Sequence, residues 1–321
     1  MDGLVTLQAA AGTDAMPMLF DAGSVRQQTL LSAIDCVGVG LHSGRRVHLT
    51  LRPAEPGTGI VIRRTDLGIA LPAAFDRVAD TRLCTLLASA EHPGVRVGTV
   101  EHVMAALAAC GIDNAVLELD GPEMPVLDGS AAPFVFLIDC AGRKRQGPPR
   151  RVVEVLRPVR VQQGEAFAEL RPAAPGATGL DLSLSIAFRA PAIGRQAFSL
   201  RLTEASFRAE LAGARTFALR EEIEGLRAAG LALGGSLDNA VVVDGERVLN
   251  PGGLRMSGEF VRHKLLDAVG DLALAGAPLR ARFVGHCSGH DLNNRLLRAL
   301  FAERAAWRWA ALGWDEEREA A

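Results

Sequence analysis

Three side chains able to bind metal or carry protons recur at four-residue steps in "FVRHKLLDAVGDL", residues 260–272: His263, Asp267 and Asp271. On a helix turning roughly 100° per residue they fall within an arc of about 80°, while Leu265, Leu266, Val269 and Leu272 lie toward the other side. An ordinary solvated face more often carries Lys and Glu, so this stripe is chemically selective. His263 and Asp267, one turn apart, can aim a ring nitrogen and a carboxylate oxygen at a single point, as a zinc ion asks of two ligands. A surface ion pair is the alternative for so short a pattern. A catalytic zinc needs a third protein ligand and an open position for water, which directs attention to the other histidines.

Those are His42, His48, His92, His102, His286 and His290. His92 precedes a proline in "EHPG" and reads as an exposed loop residue; His48 sits in an alternating strand pattern, where a structural role is expected. His42 lies in the glycine-rich "GVGLHSG", which could shape a substrate site or simply close a hairpin. His102 follows Glu101 at the start of a helical pattern. There the carboxylate could take a proton from water while the imidazole holds an ion. His290, in "GHCSGHDLNN", stands between a strand and a helix, a placement suited to donating a proton to a leaving group, with a helix-capping loop as the alternative. Asp271 could orient such a histidine and favour its protonated ring. Lys264 borders the polar arc, where it could meet an anion or pair with Asp267 at i, i+3.

The elements that must position these groups read as an α+β chain. The formal charge of −2 gives no basic excess of the kind that nucleic-acid binders show, and no nucleic-acid partner is expected. Five widely spaced cysteines without a CxxC pair argue against a disulfide framework and fit a reducing compartment. No apolar run reaches the roughly 18 residues of a membrane span. Nor does the N-terminus, with Asp2, Asp14 and Asp21, read as a secretory signal, so a cytoplasmic monomer is expected. Residues 1–26 read as a mobile extension, 27–147 as a first domain and 148–321 as a second. "VHLTLRP" (47–53) and "GIVIRR" (59–64) look like strands joined in a hairpin by "AEPGT". Residues 99–114 read as a helix with Thr99 as N-cap and Gly111 as its stop, and 130–142 as another helix. "RKRQGPPRR" (143–151) reads as a linker, because Gly-Pro-Pro cannot continue a helix. Strands, helices near 202–214 and 219–230, the helix at 260–272, a strand at 279–286 and a closing helix at 294–312 follow. "IDNAVLELDG" (112–121) echoes "LDNAVVVDG" (237–245), a weak sign of duplication.

Longer stretches carry a family likeness. "TLLSAIDCVGVGLHSG", "DTRLCT", "TVEHVMAALAACGIDNAVLELDGPEMPVLDGSAAPFV", "ARTFAL", "GGSLDNAVVV", "EFVRHKLLDAVGDL" and "SGHDLNN" occur in family order over residues 27–312. In these the chain resembles the UDP-3-O-acyl-N-acetylglucosamine deacetylases (the LpxC family), metal-dependent enzymes that commit Gram-negative bacteria to lipid A synthesis. The resemblance implies two similar α+β domains forming a β-α-α-β sandwich, each with a small insertion, the second a βαβ unit at about 217–243 that forms a passage for the acyl chain. It implies His102, His263 and Asp267 as ligands of Zn2+, or of Fe2+ in the cell. Glu101 matches the general base, His290 the general acid, Asp271 its supporting carboxylate and Thr216 a hydroxyl stabilising the oxyanion. Lys264 and Phe217 match substrate-binding residues. The implied substrate is a UDP-sugar lipid, and the composition leaves peripheral contact with the inner membrane surface open. Cys84 in "DTRLCT" matches a family cysteine near the site that can hold a second, inhibitory zinc, or serves as a buried thiol. Cys287 stands where many members carry a basic residue before "SGH". The alternative to an active deacetylase is a catalytically silent paralogue binding sugar nucleotide or lipid, and such a protein would be expected to lose a ligand or Glu101; none is lost.

Overall fold

The computed structural model describes residues 25–311; residues 1–24 of the expected extension, Leu312 and the polar tail lie outside them. Alternating burial along the strands builds two open sheets with helices between. In the first half, β1 (Arg26–Leu30), β2 (Ile34–Val39), β3 (Arg46–Pro53), β4 (Ile60–Arg64) and β5 (Ile69–Pro72) are followed by β6 (Val78–Asp80), β7 (Leu86–Ala88) and β8 (Arg96–Val97), which form a small three-stranded sheet of their own. Then come α1 (Glu101–Ala109), β9 (Ala115–Leu119) and α2 (Ala132–Ala141).

The second half contains β10 (Arg143–Pro149), β11 (Arg151–Val155), β12 (Val159–Gln163), β13 (Ala166–Pro172), β14 (Leu180–Ala187) and β15 (Arg195–Arg201). A one-turn helix, α3 (Glu204–Ser206), widens into a π-turn over Phe207–Leu211. β16 (Phe217–Leu219), α4 (Arg220–Ala228), β17 (Val241–Asp244) and β18 (Arg247–Val248) precede α5 (Glu259–Ala273), β19 (Leu279–His286), α6 (His290–Ala302) and β20 (Trp307–Ala311).

The main sheets repeat one topology. The first runs β2-β3-β9-β4-β5, with β9 antiparallel to β3 and parallel to β4. In the second, β19 is likewise antiparallel to β13 and parallel to β14, with β12 and β15 outside them, and β11 and β20 extend its start. Helices α1 and α5 pack against each other between the sheets, so the chain is the expected α+β sandwich of two similar halves. Leu107, Leu265, Leu266, Val269, Leu272 and Leu297 are buried in this central layer. Aliphatic burial of this kind contributes about 25 cal/mol per Å² of apolar surface removed from water.

Several expectations are corrected. Strands β3 and β4 are not a hairpin: β9, arriving after α1, pairs between them. Arg26, the last residue of the expected extension, is already in β1, paired with Pro149. The "RKRQGPPRR" linker is strand β10 on β1 followed by the start of β11, and its prolines fit because β10 has a single strand partner. The C-terminal helix begins at His290 and stops at Ala302. Trp307–Ala311 instead pair with β11, where Trp309 sits opposite Val153 and under the Arg151 guanidinium. The two echoing segments hold β9, a central strand, and β17, in the small sheet of the insertion; the structural counterpart of β9 is β19.

Candidate active site

Helix α1 begins at Glu101, with Val100 rather than the expected threonine at its N-cap. Thr99 takes a left-handed φ of 56° and donates its hydroxyl to Glu123 Oε1 at 2.9 Å. Glu101 and His102 thereby open the first turn of α1, where they meet α5. The approach is close: a Cβ on Gly270 would lie 1.9 Å from the Glu101 carbonyl oxygen. Only glycine permits this crossing, which brings His102 beside the polar stripe of α5.

There His263 Nε2 and His102 Nε2 lie 3.3 and 3.6 Å from Asp267 Oδ1, and one donor atom from each of the three residues falls within 4.8 Å of the others. Tetrahedral ligands held at zinc–nitrogen and zinc–oxygen distances stand about 3.4 Å apart, so the cluster has the size of a metal site. Its hydrogen bonding agrees. His263 Nδ1 faces the Ala214 carbonyl at 3.0 Å, which leaves Nε2 free to ligate, and Lys264 Nζ holds Asp267 Oδ2 at 2.8 Å. Asp267 Oδ1 is buried with no hydrogen-bond partner. Such an orphaned oxygen is costly unless a cation completes it. Burial pushes His263 down to about 4, the neutral form a ligand requires. Although burial opposes it, the His263 ring, charged only in acid, and the Lys264 ammonium hold Asp267 well below the usual carboxylate range.

Two further groups flank the cluster. Glu101 Oε1 and His290 Nε2 face each other at 4.0 Å. Burial raises the Glu101 carboxyl above its ordinary value. For His290, burial pulls the other way but is overridden by the Asp271 carboxylate, 2.9 Å from Nδ1, and the ring is raised to about 9. A buried carboxyl and an imidazole that favours its protonated form thus stand across one gap. Thr216 and Phe217 close the opposite side. The Thr216 N–H donates to the Gly129 carbonyl at 2.8 Å, and Phe217 sets its ring edge-to-face with those of Phe260 and His263. Glu101, His102, Thr216, Phe217, His263, Lys264, Asp267 and His290 all line one cavity of about 430 Å³; Asp271 lies behind His290. A larger cavity of about 760 Å³ at the far ends of α1 and α5 holds none of them.

Residues 27–302 match the family of UDP-3-O-acyl N-acetylglycosamine deacetylases. The chain belongs to that family. Among its relatives, the UDP-3-O-acyl-N-acetylglucosamine deacetylase of Phenylobacterium zucineum (strain HLK1) is 50% identical over 285 residues, covering 88% of this chain and 95% of its own. The enzyme of that name from Acidithiobacillus ferrooxidans (strain ATCC 53993 / BNL-5-31) is 49% identical over 289 residues, 89% of this chain and 93% of its own. That of Shewanella sp. (strain W3-18-1) is 48% identical over 285 residues, 88% and 91%. The LpxC family is one of metalloenzymes, and the His/His/Asp group is the cluster of metal-ligand type among the described residues.

Within this family frame, sequence reasoning missed residues that organise the site. Thr85, the last residue of "DTRLCT", donates its N–H to Glu101 Oε2 at 3.1 Å and its hydroxyl to Asp271 Oδ1 at 2.6 Å, bridging both flanking groups. Asn293 donates to Asp271 Oδ2 at 2.9 Å and accepts from Ser288. His42 does close a hairpin, between β2 and β3, yet its two ring nitrogens are buried without partners, and burial, with the His290 charge adding, holds it below its ordinary value. Glu123 accepts the His42 and Ser43 N–H groups at 2.8 Å and fixes that turn. Cys84 is a buried thiol, pushed up to about 12 by burial and the nearby Glu101, and all five cysteines are free. Asp128 binds Ser130 and Arg255, an anchor between the halves. Only the motif strings of the family hinted at Thr85 and Asn293; nothing in local spacing did.

Proposed function

We propose that the chain is a zinc-dependent amidohydrolase that removes the N-acetyl group of UDP-3-O-(3-hydroxyacyl)-N-acetylglucosamine, giving acetate and the free amine, in the cytoplasm as the committed step of lipid A synthesis. The observation that carries this reading is the convergence of His102, His263 and Asp267 on one point between the facing Glu101 and His290. A zinc ion held by those three residues would supply Lewis acidity toward the amide carbonyl and acidify water. Glu101, raised by burial above its ordinary value and steered by the Thr85 N–H, takes the proton of the attacking water. His290, kept protonated by Asp271, gives its proton to the departing amine, an otherwise poor leaving group. Thr216 lines the cavity, where its hydroxyl would donate to the developing oxyanion. Lys264 lines the same cavity, where its ammonium would meet substrate oxygen, and Phe217 would offer apolar surface to the sugar.

The β16–α4–β17 unit, whose strands run parallel, adjoins this wall and supplies the passage for the acyl chain through Leu219, Ile223 and Leu226. Asp267, which accepts from Lys264 Nζ at 2.8 Å and would also hold the metal, would couple substrate contact to metal binding. The test is acetate release from the UDP-sugar substrate by the purified protein. Loss of activity on chelation and its return with Zn2+ are expected, and Fe2+ is tried in parallel. A protein that binds the substrate but releases no acetate with any metal would overturn the reading in favour of a silent binder.

A further inference from the structure

Residues 125–130, "PVLDGS", turn sharply where the first half meets the second. Leu127 and Gly129 both take left-handed φ values, 52° and 84°. That conformation is unfavourable for leucine and open to glycine, so the turn is held by what surrounds it. Asp128 holds it from within, accepting from the Ser130 N–H at 3.0 Å and the Ser130 hydroxyl at 2.8 Å. Gly129 is needed for space as well as for φ. A Cβ there would stand 2.0 Å from the Asn239 carbonyl oxygen and 3.4 Å from the Thr216 methyl carbon.

The turn lies along residues 212–216 of the second half, the segment that leads into β16. The Ala131 N–H donates to the Ala212 carbonyl at 3.0 Å, and the Thr216 N–H donates to the Gly129 carbonyl at 2.8 Å. Between these bonds the Arg255 guanidinium donates through one nitrogen to Asp128 at 2.8 Å and to the Gly213 carbonyl at 3.2 Å, stapling turn to segment. The remaining groups of the segment face the site and its supports. The Ala214 carbonyl meets His263 Nδ1 at 3.0 Å, the Arg215 N–H donates to Glu259 at 3.0 Å, and the Thr216 carbonyl accepts from the Val241 N–H at 2.8 Å. These consecutive residues are therefore fixed on one side by the first half. On the other they carry the carbonyl that leaves His263 Nε2 free to ligate, and the hydroxyl of Thr216.

We propose that Gly129 and Arg255 are positioning residues: acting through residues 212–216, they aim the His263 ring at the metal point and fix the Thr216 side chain at the cavity. Neither lines the cavity itself. The part concerning Thr216 rests on the activity proposed above, whereas the part concerning His263 rests on the His/His/Asp cluster alone. Groups one step behind a metal ligand typically change metal affinity or activity by about 10–100-fold when removed.

Gly129→Ala and Arg255→Gln in the full-length protein, loaded with Co2+ or with Zn2+, test this. The visible absorption of bound Co2+ reports ligand geometry, and acetate release gives kcat and KM. Gly129→Ala should lower kcat roughly 10–100-fold with KM changed less than about threefold, and should shift the Co2+ spectrum. The Arg255–Asp128 pair is 37% and 31% exposed, so its loss costs little stability. Arg255→Gln should nevertheless lower kcat about tenfold and alter the spectrum with Tm nearly unchanged, and Arg255→Lys should recover most of both. If Gly129→Ala does not fold, Arg255→Gln decides alone. A parental spectrum and kcat in Arg255→Gln overturn the proposal, as does a loss in either variant that follows Tm while the spectrum stays parental. A parent that binds Co2+ yet releases no acetate refutes the activity and leaves the spectra to decide the aim of His263, and a parent that binds no Co2+ overturns both.

Discussion

Replacing Asp271 with Asn should move the alkaline limb of the pH–rate profile and leave the acidic limb in place. His290 stands raised from 6.5 to about 9, against a burial effect that alone would lower it, because the Asp271 carboxylate sits 2.9 Å from Nδ1. Asparagine preserves the size of the side chain and removes its charge, so the ring should fall to its ordinary value or below. That is a change of roughly 3 kcal/mol in the preference for the protonated form. The sign follows from the proposed role: as a general acid His290 would act protonated, so lowering its pKa should deprive the enzyme of acid at high pH and change little at low pH. At pH 8 the protonated fraction drops from about 0.9 to about 0.03, a roughly thirtyfold loss in kcat/KM, whereas at pH 6 the loss from titration is less than about twofold. The charge of a bound metal acts on parent and variant alike, so the difference between their alkaline limbs survives it. The assay is kcat/KM for acetate release from about pH 5 to 10, with metal content measured in parallel. An alkaline limb unmoved by the substitution, or an equal loss at every pH, would refute the argument that this carboxylate sets the proton affinity of His290.

Four further outcomes can be checked. Glu101→Ala should keep its zinc, measured by metal analysis, and lose about 10²–10⁴ in kcat, whereas His263→Ala should lose the metal itself. Thr85→Val removes the 2.6 Å hydroxyl bond to Asp271 without changing the shape of the side chain; kcat should fall roughly tenfold at nearly constant KM, and Thr85→Ser should recover most of it. Gly270→Ala forces a Cβ to within 1.9 Å of the Glu101 carbonyl, so α1 must move; about 1–3 kcal/mol of stability and much of the activity should go together, read by urea titration and acetate release. Glu259→Gln breaks a buried ion pair in which the carboxylate accepts from Arg215 Nε at 2.8 Å and from the Arg255 N–H at 2.7 Å, and about 3 kcal/mol of stability should be lost at pH 7. Burial opposes it, but Arg215 holds the Glu259 carboxyl below 4.5; its stabilisation is therefore complete above that pH and fades as acid protonates the group, so parent and variant should converge in acid unfolding.

What could be read from the chain alone follows sequence distance. The His263–Asp267–Asp271 stripe was legible because helical periodicity is local, and the strands from β11 to β14 because alternation is local too. The position of β9 between β3 and β4 was not, since a hairpin and an inserted third strand leave the same pattern in the two strands concerned. The C-terminal strand was hidden for a related reason. "AAWRWAA" carries enough alanine to pass for helix, and only pairing with β11, about 150 residues earlier, makes it a strand. In the same way β10, read as a connection from its Gly-Pro-Pro, owes its structure to β1.

The site divides along the same line. Neighbours in sequence supplied Glu101–His102 and His263–Asp267, and likeness to the family joined them; the groups that tune them come from afar. Thr85 reaches Asp271 across 186 residues, and Gly270 earns its place only through the Glu101 backbone that a side chain would strike. These two are modest residues, a threonine and a glycine, with no chemistry that spacing could advertise. Yet the first ties the candidate base to the carboxylate behind the candidate acid, and the second sets the distance between the helices that bring His102 to His263 and Asp267. Because both halves repeat one sheet topology and meet through α1 and α5, each half contributes one helix to the cluster, so neither half can form the three-ligand site alone. Joining the two halves would therefore assemble the candidate metal site, and metal affinity should report on how well the halves are joined.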